Sequence, residues 1–320
     1  MQIVRAWHDV PQTARGATVA LGNFDGVHLG HAHVLRAAHA ARPDAPLAVL
    51  TFEPHPREHF RPDDPPFRLT LAPERVRLLA EREVRLLYQL PFDTEFSLMS
   101  AEAFVADVLH AGFDAKHLAC GPDFAFGHRR GGDVAFLARH SERFGIGLTV
   151  VSPVADAAGP ISSSRIRRAL QDGYPERAAA MLGRPWTITG TVQVGDRRGR
   201  TLGFPTANIP LGRHLEPARG VYVVSVRAPG EKHGGVANIG RRPTIGGDKQ
   251  TRLEAYLFDF AGDLYGSDLS VDLLHFLRPE QRFADLDALV GQIEADVQAA
   301  RDWLTDPLPA DPLQEDGGVP

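Results

Sequence analysis

His28 and His31 stand three residues apart in the run Leu21-Gly22-Asn23-Phe24-Asp25-Gly26-Val27-His28-Leu29-Gly30-His31. At that spacing two imidazoles share one face of a helix, where both can donate to phosphate oxygens. A strand, a tight turn and a helix start must position them. Ala17 to Leu21 supplies the strand, Gly22 and Gly26 free the turn, and Ala32 to Ala41 continues as a helix stopped by Pro43. A helix start offers unpaired N–H groups and a partial positive charge, which favour an anion. Asn23, Phe24 and Gly30 belong to the same expected phosphate loop, with Gly30 leaving room for a nucleotide. Such a pattern suits nucleotidyl transfer from a nucleoside triphosphate. A metal site and a merely polar surface are the alternatives. Zinc wants three or four N, S or carboxylate ligands, whereas the chain has one cysteine, Cys120, and no His-Glu-x-x-His helix. Gly22, Gly26 and Gly30 fall four apart, so the dinucleotide fingerprint Gly-x-Gly-x-x-Gly is absent.

The 320 residues are long for one core and suggest two domains. A hydrophobic share of 43% with 23% charged residues describes a soluble globular chain. One cysteine excludes an internal disulfide framework and suits a reducing cytoplasm. No run is apolar for the length of a membrane span, and residues 1–9 lack the hydrophobic core of a signal peptide. The net charge of −5 argues against general nucleic-acid binding. No membrane and no obligate protein partner is implied.

The first half alternates strand-like and helix-like runs, which predicts a mostly parallel sheet. Strands are expected at 47–52, 84–90, 116–120 and 148–151, with helices at 73–83, 101–110 and 134–144. Ligands in such sheets gather at the carboxyl ends of strands, where Gly22, Phe52 and Gly121 all lie. Past Leu182-Gly183-Arg184-Pro185 the pattern turns β-rich, and five or six strands with one late helix predict a small closed barrel. Asp285 should cap that helix, and Leu286, Leu289, Val290, Ile293 and Val297 should form its apolar stripe. The expected division is 1–183 and 184–305, followed by a disordered tail at 306–320.

Three further segments carry chemistry. Thr51-Phe52-Glu53-Pro54-His55-Pro56 with Phe60, and Gly121-Pro122-Asp123-Phe124-Ala125-Phe126-Gly127, offer aromatic faces and a carboxylate that suit a planar ring system. Taken singly, each phenylalanine fills core as readily. Ser162, Ser163, Ser164 and Arg167 add hydroxyls and a guanidinium at a helix start, where they can act as the second arm of a phosphate clamp. Gly190 to Asn208, with Gly195 and Gly203, is glycine-rich but lacks Gly-Lys-Ser/Thr, so it is not a Walker loop, while its backbone can still cradle phosphates as an anion nest. Thr206 and Asn208, two apart in an extended segment, face one way and offer hard oxygens to Mg²⁺. Glu254, expected to alternate inward with Tyr256, can take a proton from a substrate hydroxyl.

At these residues the chain resembles the prokaryotic bifunctional riboflavin kinase/FMN adenylyltransferase family. The resemblance runs in order from Val19 to Leu304, and Leu202-Gly203-Phe204-Pro205-Thr206-Ala207-Asn208 and Gly22-Asn23-Phe24-Asp25-Gly26-Val27-His28 are its most specific stretches. It implies an α/β nucleotidyltransferase domain, Rossmann-like, that transfers AMP from ATP to FMN. It also implies a six-stranded antiparallel barrel with a C-terminal helix that phosphorylates riboflavin with ATP and Mg²⁺. Carried over by position, His28, His31 and the 162–167 run hold ATP phosphates. Phe60, Asp123 and Phe126 line the flavin pocket. Gly195, Gly203, Thr206 and Asn208 bind Mg²⁺–ATP, and Glu254 is the kinase base. Ser164 and Tyr256 depart from the commoner Thr and His of the family. The rival readings are a nucleotidyltransferase for another phosphorylated acceptor, a non-catalytic flavin sensor, and a nucleic-acid binder using the Arg clusters.

Overall fold

The computed structural model describes residues 1–194, 203–228, 230–243 and 249–305. Gly195 and the expected tail at 306–320 therefore lie outside the described residues. Two compact units emerge, one of residues 1–65 with 71–162, the other of 66–70 with the chain from Ser163 onward.

The first unit is built on six strands: β1 (Gln2–Val4), β2 (Thr18–Leu21), β3 (Leu47–Phe52), β4 (Leu86–Leu90), β5 (His117–Cys120) and β6 (Gly147–Val150). They lie in the order β1-β4-β3-β2-β5-β6, and every pairing is parallel. Both faces are buried, which is why the strands read as unbroken apolar runs. Val19, Leu21, Leu50, Tyr88 and Leu118 enter one core, while Ala20, Val49, Leu87 and Ala119 enter the other. The chain moves outward from β2 in both directions, so the ends of β2 and β5 form a topological switch point. Helices α1 (Leu29–Ala41), α2 (Pro56–Phe60), α3 (Ala72–Ala80), α4 (Thr94–Ser97), α5 (Ala101–Ala103) and α6 (Val134–Arg143) complete the unit. The helix expected at 101–110 continues from α5 as π-type turns over Phe104–Gly112. Gly112 is fixed by packing, because a Cβ there would collide with the Trp7 carbonyl.

A two-residue hairpin of β7 (Ala155–Asp156) and β8 (Gly159–Pro160) ends this unit, and α7 (Ser163–Gln171) and α8 (Pro175–Leu182) open the second. By compactness α7 and α8 go with the barrel, ahead of the 183/184 division read from the sequence. The barrel strands are β9 (Trp186–Thr191), β10 (Ala207–Pro210), β11 (Gly220–Ala228), β12 (Glu231–Pro243), β13 (Lys249–Leu257) and β14 (Asp268–Pro279). Their order is β10-β13-β12-β11-β14-β9, all antiparallel. The ring closes where the Gln193 N–H donates to the Asn208 carbonyl at 2.9 Å. Register shifts between β11 and β14 at Val221/Tyr222 and Val223/Val224 supply the curvature closure needs.

Alternation along each strand separates interior from exterior. Tyr222, Val224, Ile239, Leu253 and Ala255 are sealed inside. Val221, Val223, Val236 and Phe258 face outward, under α9 (Leu286–Thr305). Asp285 does cap α9, accepting from the Ala288 N–H at 2.8 Å. The helix docks further along than its expected stripe, through Val297, Ala300, Trp303 and Leu304, while Leu286 is 57% exposed. Asp296, buried in the same seam, grips Arg278 through two nitrogens at 2.9 and 2.7 Å. A strap, Pro66–Thr70, is also part of this unit. The Leu69 carbonyl accepts the indole N–H of fully buried Trp186 at 2.8 Å, and the Arg68 carbonyl accepts from the Leu215 N–H at 2.8 Å.

Candidate functional site

The turn after β2 is tight enough to hold bulky residues in left-handed backbone: Phe24 at φ 51°, Gly26 at 89° and Val27 at 44°. Phe24 and Val27 are 1% and 0% exposed, so core burial holds a conformation that Val in particular resists. This moves Phe24 out of its expected place. Its ring is in the core against His31, at 4.8 Å between centroids, and only its backbone faces the loop. Asn23 is exposed, its carbonyl accepting from the Thr51 hydroxyl at 3.0 Å.

His28 and His31 form a reciprocal cap at the start of α1. The His31 N–H donates to His28 Nδ1 at 3.3 Å, and the His28 N–H donates to His31 Nδ1 at 3.2 Å. The rings stack at 3.6 Å and 20°. Each Nδ1 is thus an acceptor, which leaves the ring proton on Nε2 as an outward donor. Burial first, then His28 and Arg82, hold the His31 pKa well below the ordinary imidazole value. The pair therefore offers ring N–H donors at a helix start, with His31 held neutral. Gly30 serves a purpose other than the expected one. A Cβ there would come within 3.0 Å of the His28 ring and 3.5 Å of the Ile161 carbonyl, so Gly30 makes room for His28.

Ser162 directly follows Ile161, and Ser163 and Ser164 begin α7 as expected. Arg167 is placed elsewhere: its Nε donates to the Phe67 carbonyl at 2.8 Å and its guanidinium lies 5.2 Å over the Phe67 ring. It anchors the strap.

Phe60 ends α2 and is 63% exposed, edge-on to Phe92 at 5.6 Å. Ring contacts continue from Phe92 through Phe96 and Phe104 to Phe126. Phe126 itself is core, 8% exposed and backbone-paired with Gly132, so its ring has no open face. The partly exposed ring of that loop is Phe124, stacked on Phe126 at 5.5 Å beside exposed Asp123. Cys120, at the end of β5, is no nucleophile: burial, then Asp123, push its thiol up to about 11.

On the barrel, Thr206 and Asn208 open into a cleft whose far wall is Phe260, Asp263 and Tyr265. Gly203 adopts φ 86°, a left-handed turn suited to glycine. Tyr256 packs edge-on to Phe204 at 5.4 Å, tying that run to β13. Asn208 donates its amide N–H to the Thr206 carbonyl at 3.2 Å, which turns Oδ1 the other way. Glu254 does not point inward. Leu253, Ala255 and Leu257 fill the interior, and Glu254 shares the outer face with Tyr256. Register sets it directly between Asn208 on β10 and Asn238 on β12. Asn238 and Tyr265 lie in stretches that share the family resemblance, Ala237 to Gly240 and Phe258 to Gly266, but the sequence assigns them no role. That Asn238 stands beside Glu254 is revealed by pairing alone.

Comparison with known proteins agrees with both halves. The FAD synthetase family model matches residues 10–165 and the riboflavin kinase model residues 182–304. A bifunctional riboflavin kinase/FMN adenylyltransferase of Escherichia coli K12 is 42% identical over 95% of this chain and 98% of its own. Its namesake in Bacillus subtilis is 35% identical over 94% and 96%. A crystal structure described as a macrolide-efflux protein from Streptococcus pneumoniae aligns with TM-score 0.84 at 36% identity, covering 94% of this chain and 98% of that one. Among the described residues no helix is long and apolar enough to cross a membrane. The chain belongs to the bifunctional riboflavin kinase/FMN adenylyltransferase family.

Proposed function

We propose that the family's two reactions are divided between the two units, with AMP transfer to FMN in the first and riboflavin phosphorylation in the second. The observation that carries this is the contrast in available bases. The first unit presents imidazole N–H donors at a helix start, and the barrel presents a carboxylate in register with an amide that suits a metal.

That contrast matches the two nucleophiles. In adenylyl transfer a phosphate oxygen of FMN attacks the α-phosphorus of ATP, and the bond to the departing pyrophosphate breaks. A phosphate monoester is mostly ionised at neutral pH, so no base is needed. Charge stabilisation is, and the Nε2–H groups of His28 and His31 with the start of α1 supply it. Gly22, Asn23 and Gly30 shape this loop, and Ser162, in the same unit, completes the phosphate site. Phe60 and Asp123 border the flavin, with Phe124 offering the ring face that Phe126 lacks. Arg167 acts by holding the strap.

In the kinase reaction a flavin side-chain hydroxyl attacks the γ-phosphorus of ATP, ADP departs, and the hydroxyl proton passes to Glu254. The Thr206 hydroxyl and Asn208 Oδ1 would hold Mg²⁺. No cluster of three His, Cys, Asp or Glu exists among the described residues, so phosphate oxygens and water would fill the other positions, as Mg²⁺ favours. Bound there, the ion would neutralise phosphate charge. Gly203 turns the chain toward this site, and Gly195 belongs to the glycine-rich approach outside the described residues. A chain with a single cysteine has no internal disulfide framework, which supports a reducing, cytoplasmic setting.

Incubation of the pure chain with riboflavin, ATP and Mg²⁺ should yield FMN first and FAD second, and FMN supplied directly should yield FAD. Absence of either product from a folded sample overturns the corresponding half.

A further inference from the structure

We propose that Asn238 is a substrate-positioning residue of the kinase, its amide hydrogen-bonding the acceptor's polyol chain beside Glu254; this rests on the kinase reading above. The registers Asn208↔Glu254 and Glu254↔Asn238 set three polar side chains in one row across β10, β13 and β12. Directly opposed cross-strand residues have Cβ atoms about 4.5–5.5 Å apart. The row lies on the outer face of the barrel, since the alternate residues Ala237, Ile239, Leu253 and Ala255 fill the interior.

On β12 the neighbours of Asn238 on this face are apolar or absent. Val236 is buried under α9, and position 240 is glycine. Asn238 is half-buried, and its side chain makes no hydrogen bond among the described residues. The amide reaches solvent, so a substrate hydroxyl can take the place of water as its partner. The Glu280 carboxylate lies over Gly240, where a Cβ would run into it and come within 3.2 Å of Asn238 Nδ2, so any side chain at position 240 would crowd the amide.

The chemistry of the row selects the partner. An amide donates and accepts at once, which matches the hydroxyls of a polyol. An amide, unlike a cation or an anion, adds no charge beside Glu254 while holding the hydroxyl against it. Asn208 serves the nucleotide end of the row, Glu254 the proton, and Asn238 the acceptor.

The test uses the full chain carrying Asn238→Ala, Asn238→Ser or Asn238→Asp, assayed for riboflavin phosphorylation across pH 5–9, with Mg²⁺–ATP affinity measured separately. Asn238→Ala should raise the riboflavin KM about tenfold, the scale of one lost hydrogen bond, with Mg²⁺–ATP affinity unchanged within twofold. Asn238→Ser, which keeps a hydroxyl, should recover part of the loss. Asn238→Asp should move the acid limb of kcat/KM upward by about one pH unit, because a like charge beside Glu254 favours its protonated form. A riboflavin KM and kcat within twofold of the parent in Asn238→Ala overturns the proposal. So does an equal loss of Mg²⁺–ATP and riboflavin binding, which marks a purely structural role. Glu254→Gln run alongside separates the failures. If it too keeps full turnover, the kinase reading falls; if only Asn238→Ala is silent, this proposal alone falls.

Discussion

The two candidate sites are assembled in opposite ways. In the first unit the donors are three residues apart, and the backbone of one helical turn orients them: His28 and His31 cap each other's N–H groups. In the barrel, Asn208, Glu254 and Asn238 come from three strands and meet only because the register brings them level. The first arrangement costs little chain entropy and is set by local geometry. The second exists only after long-range pairing, so it depends on the whole barrel being closed. On the proposed function the chemistry follows the same division. An ionised phosphate nucleophile needs fixed donors, the role proposed for His28 and His31, whereas a hydroxyl needs a base, the role proposed for Glu254.

Replacing His28 and His31 together with Ala is the hardest blow to this comparison. Each lost donor at a developing charge costs about 10²-fold or more, so FAD formation should fall by about 10⁴-fold while FMN formation stays within twofold. Equal loss of both products would mean a single shared ATP site. Next comes Glu254→Gln, which keeps size but cannot accept a proton. Riboflavin phosphorylation should fall about 10³-fold, the middle of the range for a general base, with adenylylation of added FMN intact. Near-normal kinase turnover would place the base elsewhere.

A milder effect tests how self-sufficient the barrel is. A fragment beginning at Arg184 should phosphorylate riboflavin unaided, yet it lacks the strap whose Leu69 carbonyl holds the Trp186 indole. Leaving that buried donor unpaired costs about 1–3 kcal/mol. Urea unfolding should show the fragment less stable than the barrel in the full chain by that amount. A folded but inactive fragment would break the modular reading, and an equally stable one would show the strap to be dispensable.

The smallest effect is on pH. His31 has a folded-state pKa below its unfolded value, so the unfolded chain binds the proton more readily between the two. Its contribution to stability is present above about pH 6.5 and is lost as pH falls toward the folded value. Thermal unfolding of the first unit should drop by a few degrees between pH 7 and pH 5, about 2–4 °C for each kcal/mol lost. His31→Asn, which can still accept from the His28 N–H, should flatten that slope. A slope unchanged by the substitution would assign it to other groups.

Much of this was legible beforehand. Strands buried on both faces announce themselves as apolar runs, and Leu47–Phe52 was placed to the residue. Asp285 was recognisable as a cap because Asp accepts from N–H groups a turn ahead. The histidine pair was recognisable because its geometry is local. That the Phe126 and Phe24 rings are buried was not legible, because a loop phenylalanine bounded by glycines reads the same whether its ring faces ligand or core. Gly30 was assigned to a nucleotide when a neighbouring ring fills its space.

The amino-acid sequence by itself determined the two architectures and singled out the histidine pair and Glu254 as candidates, since each rests on residue type and short spacing. Tertiary structure alone decided which face of β13 carries Glu254, that Asn238 stands beside it, and that Pro66–Thr70 belongs to the barrel. A strand's two faces are equivalent until partners fix its register, and no spacing along one chain encodes what lies across from it.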